Sequence, residues 1–122
     1  MTGLAVFGLL IGAGVLGGLL RHGAALLGAK SRFPTAVLIV NAAGSLVAGA
    51  ILGAASTLPA GIPLILLTGF CGALTTFSTF SVDTVRLILA RRGGAALWNI
   101  ISSLALGLGC AALGAGVALA II

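Results

Sequence analysis

A chain of 122 residues that is 61% hydrophobic and only 6% charged cannot cover a soluble domain with charge. Its six cations against a single acid, Asp83, give a net charge of +5; they stand at the ends of apolar runs, which points to membrane topology rather than nucleic-acid binding. A mean hydropathy of +1.37 and about 20 apolar residues per crossing of a roughly 30 Å core leave room for four helices with short loops and no soluble domain.

The first segment, 3–27, carries no charge until Arg21 and His22. No basic stretch precedes it and no polar domain follows, so it reads as a retained helix rather than a cleaved signal. Lys30, Ser31 and Arg32 form the first loop. The second segment, 34–55, starts at Pro34, a good first-turn residue because its fixed φ suits a helix and its missing N–H is not needed there. An uncharged loop with two prolines, 56–63, leads into the third segment, 62–90. Residues 91–94 are the third loop and 95–121 the fourth segment. Cys71 and Cys110 lie in separate apolar runs with no CxxC spacing and no nearby His, which reads as core packing rather than a disulfide or a metal site.

Small residues recur along these segments: Gly8, Gly12, Gly14, Gly17 and Gly18 in the first, Gly44, Gly49 and Gly53 in the second, Gly107, Gly109, Gly114 and Gly116 in the fourth. Helices in lipid gain no hydrophobic energy by touching, and associate where small residues let backbones approach. All four segments are therefore expected to make dense helix–helix contacts. Four thin helices can hardly enclose a pathway and also seal it, so an oligomer is expected.

The cations are lopsided. Arg21, Lys30 and Arg32 flank the first loop; Arg86, Arg91 and Arg92 flank the third; the second loop and the C-terminus carry none. The positive-inside rule puts loops one and three in the cytoplasm and both termini outside.

The third segment carries the anomaly. Thr75, Thr76, Ser78, Thr79 and Ser81 crowd together in mid-membrane, interleaved with Phe77 and Phe80 and preceded by Gly69 and Gly72. Hydroxyls can bond back to the i−4 carbonyl of an intact helix. A cluster this dense, after glycines, instead predicts a broken helix, with the interruption near 72–80. Irregular backbone survives at membrane depth only when buried in protein or lining a cavity. Asn41 is the second polar residue at depth; an interhelical structural bond and a pathway-lining role are both open to it. Phe77 and Phe80 would share a helical face. Ring edges carry partial positive charge, so edges plus neutral donors suit a small desolvated anion, whereas a cation would want carboxylates. Arg21 either snorkels or makes an anion-attracting vestibule. His22 is placed at the interface with no role. Asp83 has two candidate partners, Arg86 at i+3 and Arg21.

The run Gly69-Phe70-Cys71-Gly72-Ala73-Leu74-Thr75-Thr76-Phe77-Ser78-Thr79-Phe80 resembles the signature of the CrcB/Fluc fluoride channels. Gly17-Gly18-Leu19-Leu20-Arg21 and Asn41-Ala42-Ala43-Gly44 support the resemblance, which covers essentially the whole chain. It implies an all-α integral membrane protein of the inner (plasma) membrane, four helices with a break in the third, assembled as an antiparallel dimer with two fluoride pores. Its implied function is passive, fluoride-selective export from the cytoplasm, which reduces fluoride toxicity. By position, Phe77 and Phe80 would be the pore phenylalanines, Asn41 would donate to fluoride, and Thr76, Ser78 and Thr79 would form a polar track. Arg21 would sit at the vestibule, and the carbonyls of Gly72 and Thr75 would hold a structural sodium ion. Three features depart from the family pattern. Ala73 stands where a second glycine is common. Asn99 stands where a tyrosine is common, while Ser103, one turn on, matches the usual serine. The six-to-none charge bias is strong for a dual-topology homodimer; the alternative partner is a homologue inserted the other way, and the homodimer is preferred.

The competing readings are weaker. A proton-coupled multidrug exporter needs a membrane-embedded glutamate, and the chain has no Glu. A non-transporting helical subunit or holin-like pore former needs no constellation such as Asn41 with 75–80. An enzyme lacks support, since no nucleophile–base pair is present.

Overall fold

The computed structural model describes residues 2–122. Among these it contains four helices long and apolar enough to cross a membrane, and no strand. They are α1 (Gly3–Gly28), α2 (Thr35–Gly53), α3 (Ile62–Leu89, broken) and α4 (Gly93–Ile121).

Helix ends differ from the expected ones by a few residues, for local reasons. Pro34 lies just outside α2, with ψ 55 rather than helical. Gly61, at φ 93, supplies the left-handed turn that admits α3. At the end of α3, Arg91 takes the left-handed conformation at φ 56. There the Arg92 N–H donates to the Leu87 carbonyl and the Arg91 N–H to the Ile88 carbonyl, both at 2.9 Å. This pair of bonds closes a helix when the residue after the cap is left-handed. The turn is complete by Arg92, so Gly93 and Gly94 open α4 instead of lying in the loop.

α3 is the irregular element. Its first limb, 62–74, contains a widened π-helical stretch, Ile65–Cys71, flanked by short α-helical turns. Nothing in the residue pattern announces the π turn. Its second limb is the regular helix Phe77–Leu89. Between the limbs, Thr75 (φ −81, ψ 157) and Thr76 (φ −149, ψ 127) are extended. The break is therefore two residues long and sits inside the hydroxyl-rich run, within the expected interval.

The frame is made by close backbone approach. α2 packs against α4 over most of its length, α1 lies along the first limb of α3, and the second limb leans mainly on α4. A Cβ on Gly114 would meet the Leu46 carbonyl and come within 2.8 Å of the Ala50 nitrogen; one on Gly49 would meet the Ala111 carbonyl. On the other seam, a Cβ on Gly69 would lie 2.8 Å from the Leu10 carbonyl oxygen. Only the absence of side chains allows these contacts, and dispersion between the backbones is what they gain. The expectation of dense contact from every glycine stripe holds only in part within one chain. Gly8, Gly12, Gly18, Gly109 and Gly116 have no heavy atom beyond their own local helix backbone within 4 Å of where a Cβ would be.

Loops one and three lie at the same end, joined by a 2.7 Å bond from Arg92 Nη1 to the Arg32 carbonyl. Asp83 pairs with Arg86, not Arg21, at 3.5 Å. Cys71 is buried and Cys110 half-buried, and both are free thiols.

Candidate functional site: a capped helix break between two polar cavities

The break has a defined hydrogen-bond economy. In an unbroken helix the Thr76 N–H would donate to the Gly72 carbonyl, and the Thr79 N–H to the Thr75 carbonyl. Neither does. Thr76 N–H donates to Asn41 Oδ1 at 2.8 Å, and Asn41 Nδ2 donates back to the Thr76 carbonyl at 3.0 Å. Asn41 thus brackets both backbone groups of Thr76, as a neighbouring strand would. The Thr79 N–H goes to Thr76 Oγ1 at 3.3 Å, which makes Thr76 the N-cap of the second limb. The same hydroxyl donates to Thr79 Oγ1 at 3.1 Å and lies 3.2 Å from Ser78 Oγ.

The remaining hydroxyls behave as in ordinary helices. Thr75, Ser81 and Thr84 bond back to the carbonyls of Cys71, Phe77 and Phe80. The i−4 pattern and the helix break therefore coexist within one run, divided residue by residue.

Thr76 separates two cavities. One, of about 260 Å³, is lined by Arg21, His22, Val40, Thr76, Ser78 and Thr79 among others. The other, of about 310 Å³ and open on one side, is lined by Asn41, Ser45, Thr76, Phe77, Phe80 and Ser103 among others, with no charged side chain. The Phe77 and Phe80 ring centroids are 5.8 Å apart, with planes tilted by 44°. A third cavity, of about 470 Å³, lies toward the basic loops and includes Arg32, Asp83 and Arg86. It shares Ala25, Ala36, Val37 and Thr79 with the Arg21 cavity.

The arrangement can do specific chemistry. Fixed neutral donors and ring edges favour a small anion, and Arg21 lines the cavity on the other side of Thr76. Asn41 keeps one amide hydrogen beyond its bond to Thr76, because a carboxamide has two.

The match to known proteins follows from these same segments. The family model "CrcB-like protein, Camphor Resistance (CrcB)" matches residues 8–115. The chain belongs to the CrcB family. This CrcB chain is 49% identical over 82 residues to "Fluoride-specific ion channel FluC 1" of Thermobifida fusca, covering 67% of each chain. It is 39% identical over 117 residues to "Fluoride-specific ion channel FluC" of Methylobacterium nodulans, covering 92% of this chain and 90% of that one. The relative from Halobacterium salinarum, also named "Fluoride-specific ion channel FluC 1", is 38% identical over 113 residues. These relatives bear the names of ion channels rather than of enzymes.

Most residues singled out in the sequence of this CrcB chain converge. Asn41, Thr76, Phe77, Phe80 and Ser103 share the uncharged cavity; Arg21, Thr76, Ser78 and Thr79 share the other. Gly72 opens the short turn just before the break, and Thr75 is the first residue of the break. Three features were missed. His22 lines the Arg21 cavity. Ser45 lines the aromatic one; its place one turn after Asn41 was the available signal. Asn99 is turned away from both cavities and bonds to Thr84 at 2.9 Å, a pairing fifteen residues apart that no local pattern reveals.

Proposed function

We propose that this protein is a passive, fluoride-selective channel that lets the ion leave the cytoplasm. The carrying observation is the uncharged cavity at the helix break, where Asn41, Ser45, Thr76 and Ser103 share a wall with Phe77 and Phe80 and no carboxylate is present. A small anion stripped of water needs short, fixed donors, and neutral ones avoid trapping it as a cation would. No carboxylate lines either this cavity or the Arg21 cavity beside it. The names of the relatives support the same substrate. Arg21, beyond Thr76, would raise the local fluoride concentration at the vestibule. Thr76, Ser78 and Thr79 would carry the ion from there toward the rings.

The working unit proposed is an antiparallel dimer with two pores, in the inner (plasma) membrane. Phe77 is 79% exposed although it lines the cavity, so a second copy facing that side would complete the wall. Outward glycines such as Gly12 and Gly109 offer the close approach such a pairing needs. A second copy of this chain is the preferred partner over an oppositely inserted homologue. A structural sodium ion fits the break. The Gly72 and Thr75 carbonyls lose their helical donors to Asn41 and Thr76, leaving lone pairs that a desolvated cation would satisfy. Two such carbonyls from each of two chains would hold one cation without any acid.

The test is ion efflux from liposomes containing purified protein. Fluoride should leave and chloride should not; equal efflux of both would exclude selectivity. In the same assay, Phe80→Ile should abolish fluoride efflux while the protein elutes at the wild-type size. Unchanged efflux would remove the ring from the pathway.

A further inference from the structure

We propose that Asn99 is a positioning residue for the Phe80 ring, acting from behind through Thr84, and that it rather than the cavity-lining surface is where α4 exerts its strongest hold on the site. The proposal rests on the conduction reading above, but its structural part is testable without it. Asn99 is the most enclosed large side chain described, 2% exposed. Its Nδ2 donates to Thr84 Oγ1 at 2.9 Å, and that hydroxyl donates on to the Phe80 carbonyl at 2.8 Å. The chain of donors therefore runs from α4 to the backbone of the residue that carries the ring.

The geometry makes this more than a packing contact. A threonine hydroxyl has one hydrogen and two lone pairs, so Thr84 can accept from Asn99 while its hydrogen goes to the Phe80 carbonyl. Back-bonding of that kind adds a second donor to the Phe80 carbonyl and bends the turn. A free threonine would switch rotamers; the Asn99 bond holds one. Ser103, four residues after Asn99 on the same helix, lines the aromatic cavity together with Phe80. α4 thus touches the second limb at two levels. Asn99 ties down the turn that carries the ring, and Ser103 lines the cavity the ring lines. The second limb has few other anchors, since it leans mainly on α4 and barely on α1 or α2.

Asn99→Leu and Thr84→Val remove the bond while keeping shape. Each should slow fluoride efflux roughly three- to tenfold per folded protein, the rate equivalent of one hydrogen bond, and weaken the preference over chloride. The double variant should be no slower than the worse single, because both break one link. Thr84→Ser keeps the hydroxyl and should keep efflux. Fluorine NMR of fluorophenylalanine incorporated at position 80 reads ring order whether or not the protein conducts. Its line should broaden in Asn99→Leu and Thr84→Val and stay sharp in Thr84→Ser. A sharp, unshifted line in both apolar variants, or effects that multiply in the double, would overturn the proposal. If wild-type protein passes no fluoride but the line still broadens, the conduction reading fails and the positioning role stands.

Discussion

The α2–α4 seam and the break in α3 solve opposite problems in one small bundle. Along the seam, Gly49 and Gly114 bring backbones together by having nothing on them, and no backbone hydrogen bond crosses between the two helices. At the break, backbone groups are freed, and side chains must be supplied to satisfy them: Asn41 for Thr76, and Thr76 for Thr79. The seam is held by dispersion, which tolerates no added volume. The break is held by directional bonds, which tolerate no lost polar atom. A membrane protein with no charge to spare can thus place a polar, irregular segment at depth by surrounding it with a frame of glycines.

This contrast can be broken at either end. The largest effect is expected at the seam: Gly114→Val would force α2 and α4 apart, at ~3 kcal/mol, typical of severe overpacking. Purified protein should lose its monodisperse gel-filtration peak; a normal peak would mean that the seam yields easily. Next comes the break. Asn41→Leu leaves the Thr76 N–H and carbonyl, in a residue only 7% exposed, without their partner. That should cost about 2 kcal/mol, the usual penalty for an orphaned buried group, seen as a lower thermal midpoint in detergent. A midpoint equal to wild type would show that the break caps itself. The smallest effect lies outside both regions. Arg86 is 75% exposed beside Asp83, so Arg86→Ala should change stability by less than about 0.5 kcal/mol at ordinary salt. A larger loss would mean that the loop-end cavity belongs to the frame.

Much of this was legible before any coordinates. Hydrophobic length gave the four spans, and four successive crossings put loops one and three at one end, as the Arg92–Arg32 bond reflects. The hydroxyl run located the break to within a few residues, because Ser and Thr after glycines are what an interrupted helix at depth requires. Asn41 stood open between a structural bond and a pathway role. The structure assigns it the bond to Thr76 and still places it on the cavity wall. The π stretch, 65–71, left no trace in residue type, since apolar side chains suit either winding.

The sequence by itself determined that this chain has four segments long and apolar enough to span a membrane, with most of its mid-segment hydroxyls in the third. Those facts follow from transfer free energies, which are summed along the sequence and need no partner. Only the tertiary structure decided which polar atom answers which. Asn41 reaches Thr76 across 35 residues, and Asn99 reaches Thr84 across 15. Hydrogen bonds are pairwise and directional, so they exist only once the helices have packed and put donor and acceptor within 3 Å of each other. The break at 75–76 was therefore foreshadowed by residue type, and its cap, its two cavities and its anchor on α4 belong to the fold.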